Sequence, residues 1–267
     1  MVKRSAASRV RVFVNRNRRR LVATLLLVTL LPVLAVVYSR PGLADAILIV
    51  AQRMAPKKTV ADVQEQLGAA NRATWKQRLA PLGLEYPPSS VILVCLKEEK
   101  RLELYVSPKG KAPVHVESFP ILAASGGPGP KLREGDRQVP EGIYGIESLN
   151  PNSRFHLSLR INYPNAFDRH MAAAEGRTNL GGDVMIHGSN VSIGCLAMGD
   201  PVAERLFVLA ADTGIRSFRV LMCPHDFRVK PAGTPKKSDP VWLAEVYSDL
   251  VAELQKLPSP KTATGVR

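Results

Sequence analysis

The chain has 267 residues, of which 45% are hydrophobic and three are cysteines, and its formal net charge is +14. The hydrophobic fraction is ordinary for a folded domain, so disorder along the whole chain is excluded. Three cysteines are too few for a disulfide-rich scaffold, and a single long apolar run excludes a membrane protein with several spans. We predict one mainly β (α+β) domain with appended segments.

The basic charge is concentrated at the N-terminus. Residues 1–20 contain eight Lys or Arg residues and no acidic residue, and an apolar run follows over 21–37. This order is typical of an export signal, or of a membrane anchor whose N-terminus stays in the cytoplasm. We favour an uncleaved membrane anchor over residues 21–38, with residues 1–20 in the cytoplasm. The alternative is a signal peptide that is cleaved near Ala46. In both cases the remaining chain is expected in the periplasm or cell envelope, and a nucleic-acid partner is not expected.

Residues 39–88 are predicted to be a linker and helical region, with one or two helices over 59–82. The apolar spacing then changes to the alternation of strands, which glycine and proline turns separate. Strands are predicted at 91–96, 101–106, 114–121, 142–146, 154–161, 184–187 and 217–222. Seven short strands favour an antiparallel sandwich or barrel. His156, on the polar face of its strand, is interpreted as solvated.

Two helices are predicted near the C-terminus. Asp200-Pro201 is a typical N-cap and first-turn pair, and its helix is expected to reach about residue 211. Asp239-Pro240 begins a second helix, whose apolar residues form one stripe. The stripe consists of Leu243, Val246, Leu250 and Leu254. Residues 229–257 are thus a linker and C-terminal helix, and 258–267 are expected to be disordered.

The three cysteines have different surroundings in the sequence. Cys95 and Cys223 lie in apolar strands, where a buried thiol is expected. The sequence neither requires nor excludes a disulfide between them. Cys195 follows Gly194 in a loop eight positions after His187, a spacing that permits a nucleophile–base pair or a packed turn. The amides of Gly194 and Cys195 are candidates for an oxyanion hole. The chemical alternative is a zinc site of His187, Cys195, Cys223 and His225, whose spacing fits poorly.

A family resemblance rests on this segment. His187-Gly188 followed by Ser192-Ile193-Gly194-Cys195 resembles the signature of the L,D-transpeptidase catalytic domain (YkuD-like) family, and the short gap is similar to its YafK-like branch. Four further phrases occur in the right order, at 125–137, 140–142, 149–154 and 162–169. Ile193 departs from the pattern, because many members have histidine there.

The resemblance implies an L,D-transpeptidase-like β-sandwich or barrel over 89–228, with a few flanking helices after the anchor or signal helix. It also implies Cys195 as nucleophile and His187 as base, acting on the L,D bond at meso-diaminopimelate in peptidoglycan stem peptides. Gly188 and Ser189 are expected to orient His187, and Ser192 is expected to line the acyl site or support the turn. Further candidates for contact with substrate carboxylates or the cleft are Lys131, Arg133, Arg154, Tyr163 and Asn165, each of which is otherwise interpreted as a structural or solvated residue.

Three functions remain open from the sequence. Transpeptidation and hydrolysis share a thioester, and hydrolysis would release crosslinks or a wall-linked lipoprotein. The third is a peptidoglycan-binding module without catalysis. No cofactor and no metal are expected, and the partners are stem peptides and the membrane.

Overall fold

The computed structural model describes residues 56–192, 194–233 and 239–260. Four α-helices and ten strands occur in these ranges. In chain order they are α1 (Val60–Leu79), β1 (Val91–Leu96), β2 (Arg101–Val106), β3 (Val114–Pro120), β4 (Ala123–Ala124), β5 (Gly142–Tyr144), β6 (Ile146–Ser153), β7 (His156–Ile161), α2 (Ala166–Ala174), β8 (Met185–His187), β9 (Leu196–Ala197), α3 (Asp200–Thr213), β10 (Phe218–Cys223) and α4 (Leu243–Gln255). Short 3₁₀ helices at Ala80–Leu82 and Ile215–Ser217 follow α1 and α3.

The strands form two five-stranded sheets. The first sheet has the order β3-β2-β1-β10-β5, and the second has the order β4-β9-β8-β7-β6. The mainly β fold with a few helices is therefore confirmed. The prediction of purely antiparallel pairing was wrong, because β1 pairs with β10 and β8 pairs with β9 in parallel. The partner of β1 lies far along the chain, and β8 and β9 are joined by the loop over 188–195. Alternation within one strand reveals neither pairing.

The predicted strand over 142–146 is divided between the two sheets. β5 pairs with β10 in the first sheet, whereas Ile146 begins β6, which pairs with β7 in the second. At the crossing, the Gly145 amide donates to Asn162 Oδ1 at 2.8 Å. The strand predicted over 154–161 begins only at His156, because residues 154–155 form the turn between β6 and β7.

Helix α1 packs against α3 and contributes to the main core. Thr59 and Asp62 form a capping box at its start, so one helix accounts for the spacing predicted as one or two helices. The indole nitrogen of the fully buried Trp75 donates to the Arg205 carbonyl at 2.8 Å. The remainder of this core consists of buried side chains from both sheets, among them Leu93, Leu104, Leu159, Ile186, Leu196 and Phe207.

Helix α4 covers the other face of the first sheet. Its predicted apolar stripe is buried, and it packs on a core that includes Val94, Leu96, Leu221 and Cys223. Tyr247 of α4 donates to Glu141 Oε2 at 2.7 Å, and Lys97 Nζ binds the other Glu141 oxygen at 2.9 Å. The same Glu141 oxygen accepts from the Gly129 amide at 2.8 Å. This buried network connects α4 to the glycine-rich loop after β4.

The register between β1 and β10 determines the directions in which the side chains of two cysteines point. Cys95 is in register with Met222, and Leu96 is in register with Cys223. Because successive strand residues point to opposite faces, Cys95 packs in the main core and Cys223 packs under α4. Both are free thiols, and the bridge that the sequence left open is excluded by their opposite directions.

Among residues 56–192, 194–233 and 239–260, no helix is long and apolar enough to cross a membrane. The predicted anchor over 21–38 and the basic segment over 1–20 lie outside these ranges. The tail predicted as disordered is described only to residue 260.

Candidate active site

Strand β8 ends at His187, whose side chain is held from two sides. Its Nδ1 lies 2.6 Å from the Gly188 carbonyl oxygen, and the Phe155 ring stacks on the imidazole with centroids 4.8 Å apart. A carbonyl oxygen only accepts hydrogen bonds, so this contact assigns the proton to Nδ1. The lone pair of the neutral ring is therefore on Nε2.

The Nε2 atom of His187 is buried and has no hydrogen-bond partner among the described residues. Burial lowers the pKa of His187, and the hydrogen bond to Gly188 only partly opposes this effect. The imidazole is thus mainly neutral at pH 7. A buried acceptor without a partner is uncommon in a folded protein, and it is the form that a general base requires.

Cys195 lies one residue before β9, on the same side of the second sheet as His187. Ile186 is in register with Leu196, and His187 is in register with Ala197. Extending this register places Cys195 beside Met185, two residues from the position opposite His187. The strand spacing and rise then separate the α-carbons of His187 and Cys195 by about 8 Å.

The thiol of Cys195 is partly accessible and neutral. It donates to the Asp183 carbonyl oxygen at 3.4 Å, and the residue is half-buried. Burial raises the pKa of the Cys195 thiol, and the negative charge of Asp183 raises it further. A hydrogen bond from the Met185 backbone and the positive charge of Lys131 lower this pKa, but burial is the largest effect.

The turn that carries Cys195 is closed by two serine hydroxyls. Ser192 Oγ accepts from the Cys195 amide at 2.9 Å and donates to the Cys195 carbonyl at 2.6 Å. The Gly194 amide donates to Ser125 Oγ. Gly194 has a φ of +93°, which a side chain would strain. Both amides predicted as an oxyanion hole therefore already have partners, and Ser192 supports the turn.

Gly188 and Ser189 form a tight connection after His187. A Cβ on Gly188 would lie 2.9 Å from the Phe155 carbonyl oxygen and closer still to Asp200 Oδ1. Only glycine therefore fits without displacement. Asp200 was predicted to cap its own helix, but Gly199 is the N-cap, and Asp200 Oδ1 instead accepts from the Ser189 amide at 2.7 Å.

The five candidate substrate contacts divide into two groups. Arg133 and Arg154 are exposed. The polar groups of the other three are engaged inside the fold: Lys131 Nζ binds Asp136 and a backbone carbonyl, Tyr163 donates to the Lys131 and Leu180 carbonyls, and Asn165 caps α2. Contact with substrate stays a prediction for all five residues, and for these three it would require a polar group that already has a partner within the fold. The positive charge of Lys131 lowers the pKa of the Cys195 thiol.

The zinc alternative is not supported by the geometry. Cys223 lies in the first sheet under α4, whereas His187 lies in the second sheet and Cys195 directly precedes β9 of that sheet. His225 Nε2 contacts the carbonyls of Lys230 and Pro231. The described residues contain no group of three or more His, Cys, Asp or Glu side chains arranged to hold a metal ion.

Sequence reasoning missed residues on the same sheet face as Cys195. Arg160 of β7 is in register with Met185 of β8, so Arg160, Met185 and Cys195 form one row across three strands. Asp183, just before β8, contacts both Arg160 and the thiol. In the sequence Arg160 alternates with the apolar residues of β7, but its neighbours follow from strand pairing alone.

The comparisons with known proteins match the central part of the chain. Residues 89–237 match the family described as YkuD, L,D-transpeptidase catalytic domain. YafK of Escherichia coli strain K12, which is named as a provisional L,D-transpeptidase, is 39% identical over 133 residues. The alignment covers 48% of this chain and 51% of YafK, so the chain spans about half the length of the curated relatives it matches.

Solved structures with weaker likeness were also found. The helical cell shape determining protein Pgp2 of Campylobacter jejuni is 24% identical, with a TM-score of 0.41 and coverage of 50% of this chain and 47% of that chain. L,D-transpeptidase 1 of Mycobacterium tuberculosis is 16% identical, with a TM-score of 0.30 and coverage of 50% and 62%. Nothing about function follows from likenesses this low.

Proposed function

Because the chain belongs to the YkuD family of L,D-transpeptidase catalytic domains, we propose that it is a cysteine enzyme of cell-wall peptidoglycan. The proposed target is the bond between the L-centre of meso-diaminopimelate and the D-residue that follows it in a stem peptide. The observation that supports this best is a half-buried thiol on Cys195 on the same sheet face as the unpartnered Nε2 of His187. Acyl transfer through a thioester needs such a nucleophile and such an oriented base.

The proposed reaction has two steps. His187 Nε2 takes the proton of Cys195 Sγ as the sulfur bonds to the carbonyl carbon. The C–N bond then breaks, and His187 returns the proton to the departing amine, which leaves a thioester on Cys195. An amine of a second stem or a water molecule next attacks the thioester carbonyl carbon and gives its proton to His187. The C–S bond then breaks, and His187 passes the proton to the departing sulfur, which regenerates the thiol. The amine produces a crosslink, and water produces hydrolysis.

The negative charge that develops on the carbonyl oxygen needs donors near Cys195. The amides of Gly194 and Cys195 are the proposed donors, and in the described state they are bound by Ser125 Oγ and Ser192 Oγ. An incoming oxygen must displace at least one hydroxyl. In this proposal the two serine hydroxyls accept hydrogen bonds from the oxyanion-hole amides until substrate arrives. Neither amide is therefore left without a hydrogen-bond partner.

The proposed location is the periplasm or cell envelope, with the chain anchored through 21–38 or otherwise exported. Two observations support this. The basic segment and the apolar run have the order of an export signal or anchor, and peptidoglycan lies outside the cytoplasmic membrane.

Incubation of the full chain with purified muropeptides tests the proposal and separates its two outcomes. We expect either crosslinked dimers or cleaved stems, and no product from Cys195→Ala. His187→Gln should lower turnover by roughly 10²–10⁴, as is usual for loss of a general base. The matched control is His170→Gln, since His170 is an exposed histidine on α2, and it should match the wild type.

Acylation by a carbapenem gives a second measurement. Intact mass should show one adduct on the wild type and none on Cys195→Ala. A wild-type chain that forms neither an adduct nor a product, yet binds muropeptides, would instead be the non-catalytic wall-binding module.

A further inference from the structure

Three charged side chains form a group next to Cys195 that the proposed reaction does not use. Arg160 Nε lies 3.0 Å from Glu147 Oε2, and Arg160 Nη2 lies 3.3 Å from Asp183 Oδ1. The side chains of Arg160, Glu147 and Asp183 are 40%, 52% and 74% exposed. We call these three residues the charged rim. All three side chains are partly open to a ligand, although the Nε atom of Arg160 is itself buried.

Strand pairing fixes the position of the charged rim relative to the nucleophile. Arg160, Met185 and Cys195 lie in one row across β7, β8 and β9. Two strand spacings separate the α-carbons of Arg160 and Cys195 by about 10 Å. Asp183 is closer still, because its backbone carbonyl accepts from the thiol and its charge raises the thiol pKa.

The backbone around the rim is irregular on both sides. Glu147 lies in a β-bulge between Ile146 and Ser148, and a bulge redirects the side chain of the extra residue. Asp183 has a φ of +54°. Surface ion pairs contribute little to stability, so stability gives no sufficient reason for gathering two carboxylates around one guanidinium here.

The composition of the rim matches a zwitterion. A guanidinium has five N–H donors, and the two ion pairs are recorded at Nε and Nη2, so donors remain for a ligand carboxylate. Asp183 and Glu147 can each accept from a ligand ammonium. The ligand must therefore present an ammonium and a carboxylate together, as the end of an amino acid does.

The distal centre of meso-diaminopimelate carries this pair of groups. Six bonds separate its distal carboxyl carbon from the carbonyl carbon that Cys195 would attack, a span of about 7 Å when extended. This length is comparable to the distance between Cys195 and the rim. We propose that Arg160 binds the distal carboxylate and that Asp183, with Glu147, binds the distal ammonium, so that the rim selects meso-diaminopimelate at the attacked position. This inference rests on the proposed function for the choice of substrate.

Binding to a full-length chain that carries Cys195→Ala tests the rim without requiring turnover. The probes are two tetrapeptides that end in D-alanine, one with meso-diaminopimelate and one with L-lysine, which lacks the distal carboxylate. We expect the lysine peptide to bind about tenfold more weakly, because a charge-assisted hydrogen bond is lost. Adding Arg160→Gln to the Cys195→Ala chain should abolish the preference for the meso-diaminopimelate peptide.

A matched control separates the rim from a general loss of charge. Arg219 is a 47% exposed strand arginine in the first sheet, paired with Glu253 at 3.0 Å. Arg219→Gln should keep the full preference. Should Arg160→Gln fail to fold, Asp183→Asn serves instead, and it should abolish the preference for the free distal amine over its acetylated form.

The outcomes are distinct. Equal binding of the two peptides, no binding of either, or a preference that survives Arg160→Gln overturns the inference. A preference that depends on Arg160 in a chain whose wild type forms no product upholds the rim and overturns the proposed function alone.

Discussion

The surroundings of Cys195 and His187 predict the protonation state of each side chain at neutral pH. An ordinary thiol with a pKa near 8.5 is about 3% thiolate at pH 7. Burial and Asp183 raise the pKa of Cys195, so its thiolate fraction should be lower still. Burial also lowers the pKa of His187, so the imidazole is neutral in most molecules at pH 7. The resting pair is therefore a thiol and an imidazole, not a thiolate–imidazolium ion pair.

Alkylation by iodoacetamide measures this directly, since only the thiolate reacts. The rate constant at Cys195 should rise about tenfold per pH unit, close to 100-fold between pH 6 and pH 8. Intact mass gives the rate and the number of adducts. One adduct is expected on the native chain, because Cys95 and Cys223 are fully buried, and none is expected on Cys195→Ala.

His187→Gln is the informative companion variant. If the imidazole acts as a base only when substrate is present, the variant should keep the same pH dependence of alkylation while losing turnover. A rate constant that is flat from pH 6 to pH 8 in the wild type, and becomes steep in His187→Gln, would show a preformed ion pair and refute the reasoning.

Two further predictions concern the supports of the site. Gly188→Ala should destabilise the fold by about 2 kcal/mol, or roughly 4–8 °C in Tm, because the added methyl overlaps the surrounding backbone. Gly127→Ala, where no atom lies within 4 Å of the added Cβ, is the control in thermal unfolding, and equal shifts would contradict the steric explanation. Tyr247→Phe removes a 2.7 Å hydrogen bond to the buried Glu141, so a loss of about 2 kcal/mol is expected from chemical denaturation. An unchanged free energy of unfolding would mean that α4 is not connected to the loop through this contact.

Much of the fold was available from the sequence because it depends on local periodicity. The alternation of β2 and β7 and the stripe of α4 each require only neighbouring residues. Helix α2 was missed although its signal was present, since Asn165 and Asp168 form a capping box. The family assignment also came from the sequence and is confirmed by the family match over residues 89–237.

The sequence by itself determined which residues are proposed for the chemistry, because His187 and Cys195 and the motif that contains them lie within one short segment of the chain. Only the tertiary structure decided what surrounds them. Parallel pairing turned Cys95 and Cys223 to opposite faces of the first sheet, and strand order placed Arg160 in the row of Cys195. Local patterns fix the face on which a side chain lies, whereas its neighbours across a sheet depend on contacts between distant segments, which the pattern of one strand does not contain.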